Sequence, residues 1–326
     1  MKVESSGYFK NSLPVIKNQL LEPVKGDDLD FYISMFREKF GDHLLAILHY
    51  GSFLSEVTRK KDSFRDFFLI VDSYFELDIP PLHKMLSVFL PPNLYYFDEV
   101  VNGIRYVCKY NVISLHDFKT YTSFYPPDNY ILGRFSKRMA LLYYRDEEIL
   151  NEIVEGMARS AFFTGMNSIY LLPRPLSIEE WIVLSLSFSY MAEERIEDFS
   201  VKSRELYMAA SDYYNTLYGE HVFGYLVSEG IVRLDNGTGL IFYQIPPEEI
   251  EKKRKSVADY LKQSRLRTKA RWPKMMITVD KWVDQLLWKL ERVHGIKLEI
   301  PPWERKIILI TGWRHYFRLK KKGKVH

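Results

Sequence analysis

A set of short apolar runs in the first third of the chain limits most strongly what it can become. Residues 43–50 are largely apolar and end in Gly51-Ser52. Asp66-Phe67-Phe68-Leu69-Ile70-Val71-Asp72 is an apolar run with a carboxylate at each end. Tyr95–Val101 and Ile104–Ile113 flank Asn102-Gly103, the strongest short hairpin signal a sequence offers. Runs of this length suit strands buried in a sheet better than helices. A helical pattern over Asp28–Phe40 precedes the first of them. The segment up to residue 115 therefore predicts strands and helices alternating around a sheet.

Beyond residue 145 the pattern turns helical. Glu147–Phe163, Ser177–Ala192 and Lys202–Tyr218 are candidate helices, the second opening with the capping sequence Ser177-Ile178-Glu179-Glu180. Gly230–Tyr243 reads as a short hairpin around Asp235-Asn236-Gly237. Helices followed by a hairpin suit a winged-helix-like module. Pro246-Pro247 opens a basic tail, in which Trp282, Val283, Leu286, Leu287, Leu290 and Val293 recur at the spacing of an amphipathic helix. The expectation is an α+β chain of three parts. Residues 1–145 form a nucleotide-site sheet with flanking helices, 146–245 a helical, winged-helix-like domain, and 246–326 a basic helical C-terminal region.

Charge separates the tail from the body. Residues 251–326 hold 22 Lys and Arg against 7 Asp and Glu, whereas 1–250 hold 24 against 35. Such a basic end suits an anionic partner, either nucleic acid or an anionic membrane. Trp272, Trp282, Trp288, Trp303 and Trp313 favour the membrane, because interfacial helices use such anchors. No run of 18 apolar residues is present and the N-terminus has no signal-peptide core. The single cysteine, Cys108, suits a reducing compartment and reads as a buried strand residue. A cytoplasmic protein attached peripherally to a membrane is expected. His43, His49, His116 and His315 show no metal-ligand spacing.

One constellation carries chemistry. A strand ending in Gly51-Ser52 and a neighbouring strand bearing Asp66 can hold a nucleoside triphosphate. Glycine lets the backbone approach the phosphates, turn N–H groups and a serine hydroxyl bond their oxygens, and the carboxylate holds Mg²⁺ against them. Enzymes built this way usually place a second carboxylate two residues on, and here that position is Phe68. Asp72 lies roughly 20 Å down an extended strand. Asp98, Glu99 or a substrate phosphate is left to supply further oxygens. Alone, the pattern is also that of a tight turn and a strand-edge aspartate.

Longer segments extend the pattern. Tyr50-Gly51-Ser52 and Asp66-Phe67 are followed by Lys109-Tyr110-Asn111-Val112-Ile113-Ser114. Next come Tyr130-Ile131-Leu132-Gly133-Arg134-Phe135-Ser136-Lys137, then Leu186-Ser187-Phe188-Ser189-Tyr190 with Arg195. In order and spacing, from about Leu45 to Tyr218, these resemble the translocator-assembly-and-maintenance family of soluble phosphatidate cytidylyltransferases. Departures include Asn111 where the family has glycine, and residues 53–65. The resemblance implies conversion of CTP and phosphatidic acid to CDP-diacylglycerol and pyrophosphate, with Mg²⁺ or another divalent ion. It implies Asp66 as metal ligand and, with Lys109, as catalytic residue. Tyr50, Gly51, Ser52, Arg134 and Lys137 would bind nucleotide, and Tyr190 and Arg195 would complete the substrate pocket. Two alternatives stay open: nucleotidyl transfer to RNA, protein or a small molecule, and an inactive nucleotide-binding module.

Overall fold

The computed structural model describes residues 2–54, 64–192 and 199–278, together with isolated positions between 283 and 304. In chain order these residues form α1 (Gly7–Leu20), α2 (Leu29–Phe40), β1 (Leu44–Tyr50), β2 (Arg65–Val71), α3 (Pro81–Phe89), β3 (Asn93–Val101) and β4 (Ile104–Ser114). There follow α4 (Leu115–Tyr121), α5 (Asn129–Phe135), β5 (Ala140–Tyr144), α6 (Glu147–Ser168) and α7 (Ile178–Phe188). The chain continues with α8 (Phe199–Met208), α9 (Ser211–Tyr214), a π-helical stretch at Asn215–Val222, α10 (Phe223–Ser228), β6 (Val232–Leu234), β7 (Ile241–Tyr243) and α11 (Pro247–Thr278).

Five strands form one mixed sheet in the order β3-β4-β2-β1-β5, with β2 and β4 parallel and the other neighbours antiparallel. The hairpin expected at Asn102-Gly103 joins β3 to β4. Both residues have positive φ, 52° and 81°, as a tight two-residue turn requires. β1 and β2 are buried on both sides because helices cover both faces. On one face, Tyr32, Phe36 and Phe40 of α2 share a cluster with Phe67, Leu69, Val71, Tyr110 and Val112. On the other, Ala46, Leu48, Phe68, Ile70 and Ile113 join a larger cluster reaching through α1, α4 to α7 and α10 to Val257 and Leu261 of α11.

That larger core runs straight through the boundary expected at 145. By its contacts the chain divides into one compact unit over 1–274 and a second over 275–326. Within the second unit, Val283, Leu287, Leu298 and Ile300 form a small apolar cluster. Most of the helix expected over 281–294 lies outside the described residues. No described helix is long and apolar enough to cross a membrane.

Caps mark several of the helix starts. Ser177 and Glu180 make the reciprocal capping box of α7, and Asp146 and Asp128 accept hydrogen bonds at the starts of α6 and α5. The single helix expected over 202–218 is instead α8, α9 and the π-helical stretch. Ala210, at φ −157° and ψ 47°, breaks it. Helix α11 uses one side to dock. Arg254 donates to Tyr170 O, Arg265 to Met191 O, and Ser264 Oγ accepts from Asn129 N. Arg267 and Arg271 both bond the fully buried Asp128, while Lys274 donates to Leu90 O and Pro92 O.

Candidate functional site

Strand alternation and register place the site. Side chains two apart share a face, so Tyr50, Asp66 and Phe68, and Lys109 and Asn111 lie on the face covered by α5. Across the strands Tyr50 pairs with Asp66, Asp66 with Lys109, and Lys109 with Tyr96. The result is a row, Tyr96–Lys109–Asp66–Tyr50, with neighbours about 5 Å apart at the backbone. Tyr50, Gly51, Asp66 and Lys109, predicted from sequence, therefore meet at one end of the sheet.

Gly51 closes the row. Its φ of +91° lies in the left-handed region, and a Cβ there would sit 2.9 Å from Asp66 Oδ2. Only glycine leaves room beside that carboxylate. Leu54 N donates to Gly51 O as the chain turns into a 3₁₀ segment at Ser52–Leu54. The Ser52 side chain and Arg195 lie outside the described residues.

A second row supports the first. Asn111 Nδ2 donates to Tyr50 Oη at 2.8 Å, so the residue that departs from the resembled family holds the tyrosine in place. Phe68 is fully buried with its ring 5.0 Å from that of Phe135 on α5. The position where a second carboxylate was sought belongs to the core. Lys109 Nζ lies 5.4 Å from the Phe64 ring centre.

Helix α5 roofs the row. Arg134 stacks on the Tyr130 ring at 3.8 Å and donates to the Tyr130 carbonyl. Burial raises the Tyr50 hydroxyl far above its ordinary pKa and Asp66 adds to this, while the Arg134 charge beside it works the other way. Arg134 thus lies close to Tyr50. Arg134 and Lys137 lie three apart, a spacing that on one helix would put them on one face. Instead α5 ends at Phe135, and Lys137 turns to a different ring, Tyr190, at 3.8 Å. Lys137 and Tyr190 form a separate pair where α5 meets the end of α7. There Asn129 Nδ2 donates to Phe188 O at 2.8 Å, and a Cβ on Gly133 would lie 2.6 Å from Ser189 O. Two segments of the resemblance thus pack directly against each other.

Among the described residues no three His, Cys, Asp or Glu side chains group to hold a metal. Asp98, considered as a further ligand, is engaged by Arg105 through two hydrogen bonds of 2.7 Å. Asp66, the one carboxylate of the row, fits an ion that draws its other ligands from phosphate and water, as Mg²⁺ does. Cys108 is fully buried and burial raises its thiol pKa, so no thiolate is on offer. His49 is buried too, and burial lowers its pKa to about 3. A cleft of about 570 Å³ lined by Ser34, Arg37, Asp42 and Tyr143 opens at the other end of β1 and holds none of the predicted site residues.

Sequence reasoning passed over Asn111 as a site residue and Tyr96 altogether, and named Tyr130 only within a longer segment. Period-two alternation from Lys109 reaches Asn111; Tyr96 and Tyr130 depend on pairing and on helix docking. Neither a protein-family model nor a characterised protein sequence matches the chain.

Proposed function

We propose that the chain is a nucleotidyltransferase that converts CTP and phosphatidic acid to CDP-diacylglycerol and pyrophosphate. The observation that carries nucleotidyl transfer is the row Tyr50–Asp66–Lys109, closed by Gly51 and roofed by Arg134. It sets one carboxylate among cations, beside backbone that can approach a phosphate closely. The choice of cytidine and of a lipid acceptor is supported by the sequence resemblance. The basic C-terminus adds to it, since Lys252, Lys253, Lys255, Lys262 and Lys269 stay exposed on α11. The helices followed by the β6–β7 hairpin are read as winged-helix-like from that order of elements.

In this reading Asp66 holds the divalent ion, which when bound neutralises triphosphate charge. The backbone at Gly51 lies against the phosphates. Lys109 and Arg134 present positive charge to the phosphoryl oxygens as charge shifts toward the leaving group. An oxygen of the lipid phosphate forms a bond to the α-phosphorus. The bridging bond to the β-phosphate breaks, and pyrophosphate departs with the electron pair. A phosphomonoester is already ionised near neutral pH, so no side chain has to act as general base. Positioning and charge supply the acceleration.

Purified protein with CTP, Mg²⁺ and phosphatidic acid in mixed micelles is expected to form CDP-diacylglycerol. Absence of product with any divalent ion would remove the reading. Asp66→Asn is expected to lower turnover roughly 10²–10³-fold, the scale of losing one preorganised electrostatic group, with an unchanged melting temperature. A variant as active as the parent would contradict the metal-ligand role. One observation favours a second reading, a nucleotide-binding module without turnover: Phe68 in the core leaves Asp66 as the sole carboxylate of the row. CTP binding without product, whatever the acceptor, would select it.

A further inference from the structure

Helix α3 is built inside out. Leu82, Met85, Val88 and Phe89, at the spacing of one helical face, point outward, with Phe89 69% and Met85 50% exposed. The inward side is polar. Ser87 is fully buried and donates to His83 O at 2.7 Å. The Asn93 amide donates to Ser87 Oγ, to His83 O and to Tyr95 Oη. The apolar stripe that would normally seal a helix to its core therefore faces away from it. Phe75, 63% exposed, extends the patch, and the two sides meet in an apolar groove of about 330 Å³. Lys84 spans this groove, its Nζ donating to Phe75 O at 2.7 Å.

Patches of this kind mark interaction surfaces. We propose that the outward face of α3 is the surface on which the protein meets an anionic bilayer, placing the lipid substrate beside the nucleotide site. The location rests on the lipid-acceptor reading above; the apolar face does not.

Three observations favour a bilayer. First, residues 79–97 contain no Asp or Glu but include His83 and Lys84; Glu76 and Asp78 precede the helix. The helix itself carries basic residues and no carboxylate, the pattern an anionic interface takes up, while Glu76 and Asp78 are exposed in the segment of Phe75. Second, α11 brings an exposed tryptophan to the end of α3. Lys274 donates to Leu90 O and Pro92 O, Arg271 to Pro91 O, and Trp272 between them is 50% exposed. Lys269 and Leu266 are exposed just before it. Third, the same clasp leads to the site. The Arg271 guanidinium lies 4.8 Å from the centre of the Tyr130 ring, which also carries Arg134 at 3.8 Å. A nine-residue helix presents only part of the ~800 Å² per partner that a stable protein interface buries, which argues against a second copy of the chain as the occupant.

The test uses the full chain and Met85→Asp/Phe89→Asp, with Phe75→Ser as a second, milder variant. Vesicles of phosphatidylcholine containing phosphatidic acid are sedimented with each protein. Both variants are expected to keep the parent's melting temperature and CTP affinity. The double variant is expected to lose vesicle binding by about tenfold or more, ~1.4 kcal/mol, and Phe75→Ser by less. Turnover on vesicles falls with binding, while turnover on a water-soluble short-chain phosphatidic acid stays at the parent's level. Parent-like vesicle binding by both variants overturns the proposal. A parent that sediments as a dimer, with the double variant a monomer, overturns it in favour of a self-association face. If the parent turns over no substrate, the function proposal fails, and the vesicle arm still decides this one.

Discussion

Helices α3 and α11 place their side chains in opposite senses. Between residues 252 and 274, α11 carries ten Lys and Arg, and five of them, Arg254, Arg265, Arg267, Arg271 and Lys274, bond carbonyls or the buried Asp128. Helix α3 carries one lysine and turns Leu82, Met85, Val88 and Phe89 outward. A basic helix thus gives half its charge to the body, and an apolar helix gives its surface to the outside. Charge is buried only where carbonyls and a carboxylate receive it, and even then at a desolvation cost. An apolar side chain gains only where another apolar surface or a lipid covers it. Composition tells what a face can bind, and packing decides which face is left to bind it.

The contrast breaks most visibly at Asp128. It is fully buried and accepts from Arg271 Nη2 at 2.8 Å and from Arg267 Nε at 3.1 Å. Asp128→Ala leaves the buried Arg271 without its carboxylate and is expected to cost about 3–5 kcal/mol. Chemical denaturation checks this; a midpoint equal to the parent's would mean that α11 is held by other contacts.

Lys274 gives a pH test of the same docking. Burial, and secondly the Arg271 charge, lower its pKa to about 7 in the folded chain, against about 10.4 unfolded. Below pH 7 both states hold the proton and the cost of burying it is complete. From pH 7 upward the folded chain releases its proton first, so this group's contribution to stability rises, by about 1.4 kcal/mol per pH unit, until the unfolded lysine titrates too. Lys274→Met is expected to flatten that rise. Unfolding free energies at pH 7 to 10 for both proteins decide it, and parallel curves would show that Lys274 stays charged in the fold.

Smaller effects sharpen the α3 side. Ser87→Ala removes an inward hydroxyl on which Asn93 relies and should cost about 1 kcal/mol. Leu82→Ser, on the outward face, should change stability by less than about 0.5 kcal/mol. The reverse order in thermal melts would mean that the apolar side is covered. Least of all for stability, Lys252, Lys253 and Lys255→Gln together are expected to leave the melt unchanged. Their effect belongs to vesicle binding at low salt, at about 1 kcal/mol per lysine that reaches the surface; binding equal to the parent's would take these lysines off the interface.

Much of the sheet is legible in local chemistry. The apolar runs of β1 and β2, the Asn102-Gly103 turn and the Ser177/Glu180 capping box each specify their element through a few neighbouring residues. The single helix read over 202–218 fails at Ala210, where no proline or glycine announces the break. At the site, Gly51 and Asp66 follow from strand ends and spacing, while Lys109 is implied by the resemblance. Arg134 and Lys137 differ in the outcome because α5 ends at Phe135, between them.

What the sequence determines alone is therefore local: which runs are strands, where they turn, and that one glycine and one carboxylate stand at strand ends. Periodicity and cap chemistry act over a few residues and need no partner. The tertiary structure decides what lies opposite what. It pairs Lys109 with Asp66, seats Phe68 under α5, brings Arg271 onto Tyr130, and leaves the apolar side of α3 uncovered. Those outcomes depend on register and docking between segments far apart in the chain, where burial of one face is gained only through its partner.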